Sequence, residues 1–317
     1  LARAVPWLIT IACFAFLYTR IDGAARRQGS SAIPFLLAVF EKVEWGSWLA
    51  LMIPYSAFFF LIDSAVVWRV VNWFNARVPY GDILPVRAST YILSILNEQI
   101  GKGVMAYYLN RRDGVPGWQV GSSMLFIMFC EFYYLLAWAC VGAALRWDRI
   151  PDQFRVLPWV AGLALVFFAA WIVYFRGART AAAETAPAPP GKVALRDRQI
   201  LHAFRQAKPL QYATVIALRS PALLVAAFVY SRALGLFGIQ ASFVEMLGVL
   251  PLIFFGAATP GPMRAVAISM WVLLFPDHPA EMAAFGLVMH NFFIFFNAAI
   301  GLLFLRRANR ELMGSAA

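Results

Sequence analysis

Charge is scarce in this chain. Only 14% of its residues are Asp, Glu, Lys or Arg, and it holds three cysteines and three histidines. A soluble domain needs more charged surface than this, so a soluble globular reading is excluded at the outset. Cys13, Cys130 and Cys140 are odd in number, lie inside apolar runs and have no ligand spacing, which makes them packing residues. His202, His278 and His290 are scattered, and no metal centre or other cofactor is expected. There is no Gly-x-Ser-x-Gly elbow, no His-Glu-x-x-His zinc site and no closely spaced Asp motif to hold magnesium in a lipid transferase. The expectation is therefore not an enzyme. A nucleotide-binding loop is also lacking, so any active transport would draw on an ion gradient or on substrate supply.

Apolar residues, by contrast, make up 62% of the chain and aromatics 16%. They cluster into runs near the ~20 residues that cross a hydrocarbon core. The net charge of +11 sits mostly at the ends of these runs, not interleaved with aromatics on a soluble face. It reads as membrane topology and anionic-lipid contact, and argues against nucleic acid as a partner.

Strong apolar segments cover residues 6–19, 45–68, 118–145, 157–175, 210–237 and 282–305. The first lacks a small-residue cleavage site and is followed by further spans, so it reads as a membrane helix and not a signal peptide. Residues 86–109 are only half apolar, and residues 243–275 are too long for one span and cut by Pro260-Gly261-Pro262. Residues 33–43 and 198–205 suggest short interfacial helices. The expected fold is an all-α polytopic membrane protein of about six full spans plus two re-entrant or broken helical segments, arranged as two inverted halves. The N-terminal half is 1–178 with its broken segment at 86–109. A linker rich in Ala, Pro and basic residues follows at 179–198. The C-terminal half is 199–317 with its broken segment at 243–275.

Arg176, Arg179, Lys192, Arg196, Arg198, Arg205 and Lys208, against Glu184 and Asp197, form the densest basic loop. The positive-inside rule places it, and by alternation the C-terminus, in the cytoplasm of a bacterial-type inner membrane. Span, broken segment and span then recur with opposite topology, the transporter pattern that sets a central polar cavity between two gates. Arg20, Arg26 and Arg27 would fall outside, against the rule.

The most informative residues are the two interruptions, Asn97-Glu98-Gln99-Ile100-Gly101-Lys102-Gly103 and Ala258-Thr259-Pro260-Gly261-Pro262-Met263-Arg264. Broken helices bearing charge are tolerated at membrane depth only where they are buried in protein or line a wet cavity. Together with Tyr107-Tyr108-Leu109, Arg111-Arg112, the helix bearing Glu131 and Val66-Val67-Trp68-Arg69, they resemble the flippase-like transmembrane domain of lysylphosphatidylglycerol synthases and their stand-alone relatives. Ile100 stands where that family has Pro, Val104 where it has Glu and Phe132 where it has Arg, and no Glu follows Arg264. The resemblance implies a divergent stand-alone lipid-translocating domain without the soluble aminoacyl-transferase domain. Its partners would be membrane lipids with a phosphate-bearing headgroup.

Each polar residue has two readings. Lys102 either meets a lipid phosphate or snorkels to the surface, and Glu98 at i,i+4 either forms a releasable gate with it or a fixed pair. Glu131 lies thirteen residues into its helix, ~20 Å along the axis and near mid-bilayer. A carboxylate there must be protonated, paired or in water, and Lys102 or Arg264 are the expected partners. Arg264 either begins a half-helix facing an anionic headgroup or sits at an outer interface. His290 and Asn291, with Asn297, either contact a headgroup or relay protons, or bond between helices. Asp63, near Trp68-Arg69, reads as one half of an intraprotein pair, and Arg219 and Glu245 also lie within or close to spans. Substrate contact is thus expected at Glu98, Lys102, Glu131, Arg264, His290 and Asn291, with backbone gating at Gly101, Gly103, Pro260 and Gly261. The expected function is a membrane lipid translocase. The alternatives are a non-transporting scaffold for a lipid- or glycan-modifying enzyme partner and an intramembrane transferase.

Overall fold

A computed structural model of the chain describes residues 5–27, 29–96, 98–145, 155–182, 198–258 and 265–313. These residues form twelve α-helices and one short 3-10 turn, in keeping with a backbone that must satisfy its own hydrogen bonds without water. In chain order they are α1 (Val5–Arg27), α2 (Ala32–Glu41), α3 (Trp45–Phe74), α4 (Tyr80–Leu96), α5 (Glu98–Asp113), α6 (Gly117–Leu145) and α7 (Leu157–Ala182). After the turn at Gln199–Leu201 come α8 (His202–Gln206), α9 (Pro209–Gly235), α10 (Phe243–Ala258), α11 (Ala265–Leu274) and α12 (Pro279–Met313).

Five of these, α3, α6, α7, α9 and α12, are long and apolar enough among the described residues to cross a membrane, and the chain is a multi-pass membrane protein. The count is one below the six expected spans. The run 6–19 forms the first part of α1, and at ~1.5 Å per residue its apolar stretch covers only about 21 Å, short of a ~30 Å core. The second part of α1 carries Arg20, Asp22, Arg26 and Arg27, with Arg26 paired to Asp22 at 2.7 Å.

Both expected broken segments are pairs of short helices packed on each other, α4 with α5 and α10 with α11. With 17, 16, 16 and 10 residues, these helices are each shorter than the long spans. The first break is narrower than the sequence suggested. α4 runs to Leu96 and α5 begins at Glu98, and the backbone of Gly101-Lys102-Gly103 is helical. A glycine in a helix costs only about 1 kcal/mol, less than the unpaired backbone groups that a wider break would leave in hydrocarbon. The α5–α6 junction is set by Gly114, whose φ of 66° only glycine adopts without strain. Its N–H bonds the Asn110 carbonyl at 3.0 Å and the Asn110 amide returns to the Val115 carbonyl at 3.1 Å.

Packing divides the chain into two compact units. The first comprises Leu1–Phe58, Leu135–Arg155 and Pro221–Phe295. Within it α1 packs on α2 and α11, and Tyr55, Tyr230, Trp271 and Phe285 interlock edge to face. Gly142 of α6 lies directly on Gly248 of α10.

The second unit comprises Phe59–Tyr134, Val156–Ser220 and Phe296–Ala317. It holds α4 and α5 and an aromatic core in which Phe126, Phe129, Trp171, Phe175 and Tyr212 surround Phe204 or one another. Gly301 of α12 packs against the Ala88 carbonyl of α4. The short helix expected at residues 198–205 is present as the 3-10 turn and α8, with Arg198, Gln199 and Ile200 exposed. Ala203 and Phe204 are buried, and the Ala203 N–H bonds Ser122 Oγ at 2.8 Å. Phe204 meets four other aromatic rings, Phe126, Phe129, Trp171 and Phe175, which anchors the segment to the core.

The α3–α4 turn hangs on Asn72. Its amide donates to the Trp68 and Val78 carbonyls at 2.9 and 3.0 Å, and its oxygen accepts the Val78 N–H at 3.2 Å. We expect Asn72→Leu to lower stability by about 1–3 kcal/mol through orphaned backbone groups. Thermal unfolding in detergent checks this, and a wild-type midpoint would refute it.

Candidate functional site

Four ionisable side chains of the second unit, each from a different helix, come together in space. Asp63 on α3, Arg87 on α4, Glu131 on α6 and Arg219 on α9 form one chain of ion pairs. Each sits inside a predominantly apolar helix, where an unpaired charge is costly, so the four helices are obliged to turn these faces toward each other. Two carboxylates and two guanidinium groups leave the set neutral.

Asp63 is its fixed centre. With 5% of its side chain exposed, it accepts Arg87 Nε at 2.6 Å and Tyr91 Oη at 2.7 Å on Oδ2, and Arg219 Nη2 at 3.2 Å on Oδ1. Arg87 is held further by Thr90 Oγ1 at 3.1 Å and by the Tyr91 ring, 4.8 Å from its guanidinium carbon. Arg219, 9% exposed, divides its fork between two carboxylates, since Nη1 reaches Glu131 Oε1 at 3.2 Å. Its buried Nε has no hydrogen-bond partner among the described residues.

Glu131 is the open end. Its side chain is 43% exposed, against 5% for Asp63. It borders Leu125, Met128 and Phe132, which are exposed along one side of α6. Chemically, the arrangement is an anchored cation that can exchange its outer partner. Asp63 keeps Arg219 in place while Glu131 can yield to another anion, because Arg offers a rigid planar fork that is charged at all accessible pH.

Several residues singled out in the sequence lie elsewhere. The backbone of Glu98, Gly101, Lys102 and Gly103 belongs to α5, and the side chains of Glu98 and Lys102 lie outside the described residues. Pro260, Gly261 and Arg264 also lie outside the described residues. Glu131 pairs with Arg219, 88 positions along the chain, while the expected partners Lys102 and Arg264 have side chains outside the described residues. Asp63 is part of an intraprotein pair as expected, though not with Arg69, whose guanidinium lies 5.3 Å over Trp73. His290 is buried in the first unit, and Asn291 donates to the Leu287 carbonyl of its own helix at 2.7 Å. Of the paired arginines, Arg112 ties α5 to the start of α4 through Asp82 at 2.9 Å.

Arg87 was missed. It lies in the half-apolar segment near Pro85, where a charge looks unremarkable. The signal that could have found it is charge balance, since Asp63, Glu131 and Arg219 leave one negative charge in the spans without a partner. No protein family, curated protein or solved structure matches the chain. What the helices and this site define is a class, a multi-pass membrane protein with a neutral four-charge network inside its apolar helices.

Proposed function

We propose that the chain is a lipid translocase that moves a lipid or lipid-linked headgroup bearing phosphate between leaflets, without covalent chemistry. The observation that carries this reading is the asymmetry of the charged set, in which a fully bonded Asp63 holds an arginine whose outer partner, Glu131, is half exposed beside an apolar face. A headgroup phosphate would take the place of Glu131 on Arg219 while acyl chains stay along Leu125, Met128 and Phe132. Glu131, released, would pick up a proton or a positively charged headgroup substituent, and re-forming its pair with Arg219 would expel the phosphate on the other side.

An architecture of two inverted halves supports alternating exposure. A long helix, a short-helix pair and a long helix occur twice, as α3 to α6 and as α9 to α12. Internal prolines recur within them at 54 and 85 and at 221 and 251. The first series leaves the first unit, forms its short pair in the second and returns. The other series does the reverse. Close contacts are exchanged in the same sense, α6 on α10 at Gly142 and α12 on α4 at Gly301. The basic linker favours a cytoplasmic position for itself and for the C-terminus, in a bacterial-type inner membrane.

A non-transporting scaffold for a lipid- or glycan-modifying enzyme is the second reading. The saturated bonding of Asp63 favours it, since buried ionic networks also serve to align helices. Scrambling of labelled phospholipids in proteoliposomes separates the two. We expect selective movement of anionic lipids, slowed about tenfold or more by Glu131→Gln through loss of one charge-assisted partner. Wild-type rates in folded Glu131→Gln would remove that residue from the mechanism, and no movement by wild-type protein would favour the scaffold.

A further inference from the structure

A second polar site lies in the same unit, away from the charged set. The residues that follow α3, the first turn of α6 and α8 enclose a pocket of about 390 Å³, lined among others by Asn75, Arg77, Gln119, His202 and Gln206. Its size falls within the ~300–1,000 Å³ common for small-molecule sites. Asn72, which closes one side, lies nine residues after Asp63, ~14 Å along the helix axis.

The chemistry of the lining is one-sided. Among the described residues no lining residue is a carboxylate, Arg77 supplies a full positive charge, and the amides add neutral donors. The Asn75 side chain is held by Ser123 Oγ, which donates to its Oδ1 at 2.7 Å, while the buried Nδ2 has no partner among the described residues. A buried amide donor left without an acceptor is an unusual cost in a folded chain. His202 is fixed edge-on against Trp118, with ring centroids 5.6 Å apart, and hydrogen-bonds the Phe74 backbone. Burial, aided by the nearby Arg205, pushes its pKa below the usual imidazole value. At neutral pH Arg77 is therefore the full charge in the lining. Among the described residues a cationic ligand would meet Arg77 without a counter-charge, and an apolar one would leave Arg77 and the Gln119 and Gln206 amides without an acceptor.

We propose that this pocket binds a phosphoryl anion, with Arg77 as the charge and the Gln119 and Gln206 amides as neutral donors. The phosphate belongs either to a lipid headgroup or to a soluble phosphate ester. This assignment does not depend on translocation, because it rests on the pocket alone.

The test uses the full chain in phosphate-free detergent, titrated with inorganic phosphate and with glycerol 3-phosphate by calorimetry. Saturable binding is expected, weakened at least tenfold by Arg77→Gln and by Asn75→Asp, which adds negative charge to the lining. Arg77 is exposed, so its variant keeps the test valid should Asn75→Asp fail to fold. Repeating the titration in nanodiscs of phosphatidylglycerol distinguishes the sources. Loss of inorganic phosphate binding there points to the lipid headgroup as occupant, and unchanged binding points to a soluble ester. Absence of saturable binding by either probe at millimolar concentration overturns the proposal, as does binding that both variants leave unchanged.

Discussion

Arg219→Met is expected to lower the stability of the fold by about 3–5 kcal/mol, the range for breaking a buried ion pair by removing one partner. The reason is not the lost attraction alone. Arg219 bonds both Asp63 and Glu131, and its removal leaves two carboxylates against the single remaining guanidinium of Arg87. Asp63 retains Arg87 and Tyr91, so the excess negative charge falls on Glu131, at the exposed end. Replacing Glu131 by Met as well restores neutrality, and the double variant should regain most of the loss, to within about 1–2 kcal/mol of wild type. Reversible unfolding in mixed micelles measures both. A single variant within about 1 kcal/mol of wild type would show that the network carries little weight in the fold.

Gly142→Ala is the second large effect, and it should be sharply unequal to its neighbour across the contact. A Cβ at Gly142 would lie 2.1 Å from Gly248 Cα, 2.7 Å from Gly248 N and 2.9 Å from the Leu247 carbonyl oxygen. All three are backbone atoms, so no side chain can swing away and α6 must part from α10. The separation opens gaps around buried Ala139, Ala143 and Met246, at a cost of about 1–3 kcal/mol or more. A Cβ at Gly248 meets nothing closer than 3.4 Å, and alanine is the better helix former by about 1 kcal/mol. Gly248→Ala should therefore unfold at or slightly above the wild-type temperature, while Gly142→Ala unfolds well below it. Equal shifts in the two would mean that the helices do not meet as closely as this.

Several features of this architecture were legible before any coordinates. The long apolar helices follow from hydropathy, and the half-apolar stretch and the Pro260-Gly261-Pro262 cut marked both pairs of short helices. The depth of Glu131 came from counting along α6. Its partner did not, because Arg219 is 88 positions away and nothing local distinguishes it from Lys102 or Arg264 as a counter-charge. The glycines on either side of Lys102 read as a break, whereas the helix continues through them. Residues 198–205 read as a short surface helix, and that its Phe204 packs among Phe126, Phe129 and Trp171 came only from the tertiary structure.

Membrane class, span count within one and the presence of charge inside apolar segments are thus properties of the amino-acid order alone, because transfer into hydrocarbon acts on each segment by itself. Pairing is not such a property. Which charges meet depends on how helices are rotated about their axes, and that is settled by contacts between segments remote in sequence, such as Gly301 on Ala88 in the unit that holds the charged set. Only when α3, α4, α6 and α9 have been brought together does a lone Asp63 become the anchor of Arg219, and a mid-helix Glu131 its exchangeable partner.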